Sequence, residues 1–124
     1  MSRQDTAAAA DVPARVAVIG TGVIGNGWIV RALAAGCDVV AFDPAPGAEA
    51  TTRAFVERVW ESVATMGLAD TADPSRLRFA ASAIEAVEEA DLVQENVPER
   101  LEIKHRVLAE LDAHAPEGVV IGSS

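Results

Sequence analysis

The chain has 124 residues, half of them apolar and only 4% aromatic, with a formal net charge of −9 at pH 7. That length supports one domain with a core of Ala, Val, Ile and Leu, and that charge argues against a nucleic-acid surface or an anionic membrane as partner. The single cysteine, Cys37, excludes a disulfide framework within the chain, and no apolar stretch is long enough to span a bilayer.

Residues 1–14 are Ala-rich and polar, with no charged segment leading into a strong apolar run. They read as a flexible N-terminal tail and not as a signal peptide, so the expected compartment is the cytoplasm. The folded domain is expected over 15–124.

Arg15-Val16-Ala17-Val18-Ile19 reads as a buried strand. It runs into Gly20-Thr21-Gly22-Val23-Ile24-Gly25, which opens a predicted helix over 23–35. Glycine spacing alone is a weak signal; strand, glycine turn and helix in this order make a dinucleotide-binding fingerprint. Gly20 permits the tight turn, Gly22 lets the backbone approach a pyrophosphate, and Gly25 lets helix and strand pack closely. The helix N-terminus presents unpaired N–H groups and the positive end of its dipole to the phosphates. Gly27 inside the helix costs about 1 kcal/mol in propensity; its expected use is close approach to the sheet or to the cofactor. Trp28 is expected to pack in the core, Gly36 to cap the helix, and Cys37 to be a small buried residue.

A second strand over 38–42 ends at Asp43, close to the roughly twenty-residue offset at which the fingerprint places its carboxylate. A carboxylate there can accept hydrogen bonds from both hydroxyls of an adenosine ribose. It repels a 2′-phosphate, and Pro44-Ala45-Pro46-Gly47 contains no Arg to hold one. The expected cofactor is therefore NAD and not NADP. Without the glycines, Asp43 would read as a turn residue ahead of Pro44.

Residues 47–66 predict a second helix with Phe55, Val59, Val63 and Met66 on one apolar face, broadened by Trp60. Gly67 ends it, a polar loop covers 69–76, and a short third strand covers 77–80. Ser82-Ala83-Ile84-Glu85 is a capping box that starts a short helix to about Glu89. A fourth strand over 91–94, a loop over 95–98, a helix over 100–114 with Leu101, Val107, Leu108 and Leu111 on one side, and a fifth strand over 119–121 complete the pattern. Strands that alternate with helices predict an α/β fold, a Rossmann-type doubly wound parallel sheet with right-handed crossovers. The chain should cross over between its first and fourth strands. Ligands then bind outside the carboxyl ends there, where 20–25, 95–99 and 122–124 converge.

Three runs carry a resemblance to a known family. They are Val18-Ile19-Gly20-Thr21-Gly22-Val23-Ile24-Gly25-Asn26-Gly27-Trp28, then Gln94-Glu95-Asn96-Val97-Pro98-Glu99 with Lys104, and Ile121-Gly122-Ser123-Ser124. Together they resemble the NAD-binding domain of the 3-hydroxyacyl-CoA dehydrogenase superfamily, and the likeness covers the chain after its tail. Gly25-Asn26-Gly27-Trp28 and Phe42-Asp43-Pro44-Ala45-Pro46-Gly47-Ala48-Glu49 are most similar to the L-carnitine 3-dehydrogenase branch. The gulonate 3-dehydrogenase (lambda-crystallin) branch shares the tryptophan and the loop after the fourth strand.

The resemblance implies NAD as cofactor and oxidation of the 3-hydroxyl of a small hydroxy acid. In the first branch this converts L-carnitine to 3-dehydrocarnitine. It also implies a homodimeric parent enzyme, Glu99 and Lys104 near cofactor or substrate, and Ser124 near the nicotinamide. From the residues alone, Glu99 equally suits the first turn of a helix and Lys104 a solvated helix charge; Glu95 shares that ambiguity. CoA-using members carry basic residues on the second helix. Here Glu49, Glu57 and Glu61 stand beside Arg53 and Arg58 with no lysine, which favours a free hydroxy acid over a 3-hydroxybutyryl-CoA type of substrate. The family's catalytic His and Glu, with a helical second domain, are implied beyond Ser124. No catalytic residue and no metal ligand is therefore assigned in the chain, and His105 and His114 read as exposed helix residues. The expectation is a domain that binds NAD and turns over nothing alone. A non-enzymatic dinucleotide-sensing module is the alternative class; the 94–99 loop and Gly27-Trp28 speak against it.

Overall fold

The computed structural model of the chain describes residues 14–96, 109, 113–116 and 119–123. Residues 1–13 of the expected tail over 1–14 and most of the expected helix over 100–114 lie outside the described residues. Among the described residues five strands are seen: β1 (Arg15–Ile19), β2 (Asp38–Phe42), β3 (Leu77–Phe79), β4 (Leu92–Glu95) and β5 (Val120–Ser123). Accompanying them among the described residues are the α-helices α1 (Val23–Ala34), α2 (Ala48–Ala64) and α3 (Ala83–Val87), with one turn of 3₁₀ helix over Pro74–Arg76.

All paired strands are parallel, in the order β3-β2-β1-β4-β5. β1 is central and is buried on both faces, which is why it reads as an unbroken apolar run. Its Val16 and Val18 face one layer with Ile29, Val30 and Leu33 of α1 and Val56 of α2. Its Ala17 and Ile19 face the other, with Ala86 and Val87 of α3 and with Ala90 and Val93. The chain builds outward from β1 to β2 and β3, then returns past β1 to β4. That reversal sets the switch point between β1 and β4, as expected.

Ser82 closes the start of α3 as the capping box predicts: its Oγ accepts the Glu85 N–H at 3.1 Å. Ser82→Ala is expected to cost about 1 kcal/mol, read as a lowered midpoint in thermal denaturation.

Two expectations are corrected. Met66 does not share the buried face of α2: the helix ends at Ala64, and Met66 stands 81% exposed in the turn behind it. The fully buried positions of α2 are Thr52 and Val56, with Phe55, Val59, Trp60 and Val63 flanking them. Gly27 does not serve close approach to the sheet, because a Cβ there would meet no atom within 4 Å. It opens instead onto a shallow hollow lined by Ile24, Trp28 and Arg31. Trp28 is half-buried, packed against the first core layer, with the Arg31 guanidinium over its ring. Cys37 is buried as expected, and burial pushes its thiol above the ordinary value. Among the described residues no helix is long and apolar enough to cross a membrane.

Candidate functional site

The glycine turn grows out of β1. Gly20 takes φ of +93°, a conformation that suits glycine, and its N–H donates to the Phe42 carbonyl at 2.8 Å. The chain then enters α1, whose first helical bond runs from the Asn26 N–H to the Gly22 carbonyl at 2.8 Å. A Cβ on Gly25 would overlap the carbonyl oxygen of Gly20, so helix and turn touch through backbone alone. A Cβ on Gly22 would meet nothing within 4 Å. The three glycines thus divide their work as the fingerprint requires: turn, open approach, close packing.

Gly22 is the N-cap of α1; it makes no side-chain capping bond, and the first turn holds no acidic residue. The leading N–H groups are therefore left to an outside acceptor, and the dipole favours an anion there. Val23 and Ile24 are 92% and 59% exposed beside this opening. Such exposure of large apolar side chains suits a ligand-facing edge.

Asp43 stands against the same turn. Its Oδ2 accepts the Thr21 N–H at 2.8 Å and the Thr21 hydroxyl at 3.1 Å. Its Oδ1 accepts the Ala45 N–H at 2.8 Å. The carboxylate is thus both a turn residue and a neighbour of the glycine turn. A carboxylate offers about four acceptor positions. Three donors already use it, so one position remains with all these bonds kept. Thr21 is an expected site residue and is only 6% exposed; the bond from its hydroxyl to Asp43 is what the sequence pattern did not reveal.

β4 supplies the other wall. Asn96, just past its end, donates from its N–H to the Ile19 carbonyl at 2.8 Å. Its Nδ2 donates to the Gly20 carbonyl at 3.3 Å. Gln94 donates from Nε2 to the Asn96 Oδ1 at 3.2 Å, and its Oε1 lies against Gly122 of β5. Glu95 is fully buried as the last residue of β4, opposite Ile19 and Ser123, and not in the loop after it. Behind the turn, the Thr52 hydroxyl donates to the Asn26 Oδ1 at 2.8 Å, joining α2 to α1. An asparagine at a strand end beside a glycine turn was a readable signal; the Asn26–Thr52 pair had none.

Gly20, Thr21, Gly22, Val23, Ile24, Gly25 and Asp43 are therefore brought together at the carboxyl ends of β1 and β2. Glu99, Lys104 and Ser124 lie outside the described residues, as does His105; His114 is exposed. Among the described residues no group of His, Cys, Asp and Glu could hold a metal ion. A hollow of about 530 Å³ sits elsewhere, between α2 and the start of β3. A cleft at a switch point is open along its length, so size does not locate it.

Dinucleotide binding is the class of work such a crevice defines. Residues 15–124 match the family described as 3-hydroxyacyl-CoA dehydrogenase, NAD binding domain, and the chain belongs to that family. It is 58% identical over 110 residues to an L-carnitine dehydrogenase of Oceanobacillus iheyensis, covering 89% of this chain and 36% of that protein. It is 55% identical over 108 residues to an L-carnitine dehydrogenase of Pseudomonas aeruginosa, covering 87% of this chain and 34% of that protein. Among solved structures, it superposes on 3-hydroxybutyryl-CoA dehydrogenase of Escherichia coli K12 with a TM-score of 0.77 at 30% identity, covering 90% of this chain and 24% of that one. The chain thus spans about a third of the length of these carnitine dehydrogenases.

Proposed function

We propose that this chain is the NAD-binding part of an oxidoreductase that oxidises L-carnitine to 3-dehydrocarnitine. Cofactor binding is assigned to the chain itself, and turnover to a protein of the relatives' length. Gly20, Thr21, Gly22, Val23, Ile24 and Gly25 receive the pyrophosphate, through the open backbone at Gly22 and the uncapped N–H groups of α1. Asp43 receives the adenosine ribose with its remaining acceptor position. By family resemblance, Glu99 and Lys104 are assigned to the cofactor or substrate and Ser124 to the nicotinamide. When bound, NAD supplies the hydride acceptor, while the protein holds and orients it.

The observation that carries the cofactor reading is Gly22: a Cβ there would meet no protein atom within 4 Å, beside helix donors that lack a side-chain cap. The preference for a free hydroxy acid over a CoA ester is supported by α2. Its Arg53 is engaged by Glu49 at 2.9 Å and by the Leu77 carbonyl at 3.2 Å, and its Arg58 lies over the Phe55 ring. Both arginines are exposed, but each already has a partner within the domain. The parent protein is proposed to be a cytoplasmic homodimer, with no nucleic-acid or membrane partner for a chain of net charge −9.

Titration of NAD and NADP against the fluorescence of Trp28 and Trp60 tests the cofactor assignment. NAD is expected to bind at least about ten-fold more tightly, the scale of one hydrogen bond to a charged group. Equal or tighter NADP binding would overturn it. Carnitine-dependent NADH formation by the longer protein, absent with CoA esters, tests the substrate.

A further inference from the structure

We propose that the Thr21 hydroxyl is a positioning residue for cofactor choice: it fixes the Asp43 carboxylate against the glycine turn so that it cannot swing aside for a 2′-phosphate. The proposal rests on the reading of Asp43 as the ribose partner. A carboxylate at the end of a strand does not by itself exclude NADP. On an unrestrained loop it can rotate into solvent, and the repulsion it exerts then falls with distance and with screening.

Asp43 is not unrestrained. The hydroxyl and N–H of Thr21 both converge on Oδ2, at 3.1 and 2.8 Å, while the Ala45 N–H holds Oδ1 at 2.8 Å. Rotation away from the turn breaks all three bonds. It also strands the donors of Thr21, a residue only 6% exposed, and a buried donor without a partner is costly. A ribose hydroxyl demands no such movement, because Oδ1 keeps an open acceptor position. The Thr21 N–H would hold Asp43 whatever the side chain. The hydroxyl is the part that sequence can change.

The experiment is a calorimetric titration of NAD and NADP into wild-type protein and into Thr21→Val, Thr21→Ser, Asp43→Ala and the Thr21→Val/Asp43→Ala double variant. Thr21→Val keeps the shape and removes the hydroxyl; Thr21→Ala repeats the comparison with less bulk if the valine variant does not fold by circular dichroism. The ratio of the NADP to the NAD dissociation constant is the readout. It is expected to fall about ten-fold in Thr21→Val, the scale of one charge-assisted hydrogen bond, and to stay within about two-fold of wild type in Thr21→Ser. In the Asp43→Ala background, Thr21→Val is expected to leave the ratio unchanged. Equal weakening of both cofactors by Thr21→Val would make Thr21 merely structural and overturn the proposal. If Asp43→Ala collapses the ratio and Thr21→Val does not alter it, the Thr21 proposal alone fails. An unchanged ratio in Asp43→Ala overturns the ribose reading beneath it.

Discussion

Gly25→Ala is expected to abolish NAD binding and to destabilise the fold by about 3 kcal/mol, the upper end of the usual cost of overpacking. The added methyl would overlap the Gly20 carbonyl oxygen and lie 2.9 Å from its carbon. Neither atom can step aside. Gly20 is already at a φ of +93°, its N–H is bonded to Phe42, and its carbonyl accepts from Asn96. The strain therefore passes to α1, which must tilt away from the turn and take its leading N–H groups with it. Gly22→Ala makes the control: φ there is −72° and the space is open. Its stability should fall by no more than about 1 kcal/mol, the cost of a poorer N-cap, while NAD affinity falls because the methyl occupies the ligand's path. Urea denaturation and NAD titration of the two variants separate the effects. Wild-type stability in Gly25→Ala would contradict the packing argument.

Thr52→Val is expected to cost about 2 kcal/mol, though it changes no volume and touches no ligand. Thr52 is fully buried and Asn26 is 7% exposed. Removing the hydroxyl leaves the Asn26 Oδ1 without the donor it now has at 2.8 Å. The penalty is that of burying an unsatisfied acceptor, larger than the net worth of the bond. Asn26→Leu combined with Thr52→Val should recover part of the loss in chemical denaturation, because both polar partners are then gone. A single valine variant as stable as wild type would show that water reaches the pair.

Patterning made the sheet readable. β1 and β2 sit where apolar runs place them, and the crossover between β1 and β4 follows from strands that alternate with helices. The glycine turn and Asp43 were readable for a related reason: their spacing is set by backbone geometry and not by side-chain packing. What escaped was lateral. Val56, not Met66, anchors α2, because the helix stops at Ala64 and periodicity does not know where a helix stops. The Thr21 hydroxyl on Asp43 and the Thr52 hydroxyl on Asn26 join positions 22 and 26 residues apart. No local rule in the sequence pairs them.

Asn96 has a thermodynamic consequence of its own. One residue satisfies the Ile19 and Gly20 carbonyls together, and Gln94 holds that residue in turn. The glycine turn is tethered to the neighbouring strand before any cofactor arrives. Its ordering entropy is then settled during folding and not at the moment of binding, which is how preorganised sites gain affinity without added contacts. The Asn96 and Gly20 amides should exchange with solvent deuterium as slowly in the apo protein as the central strand does.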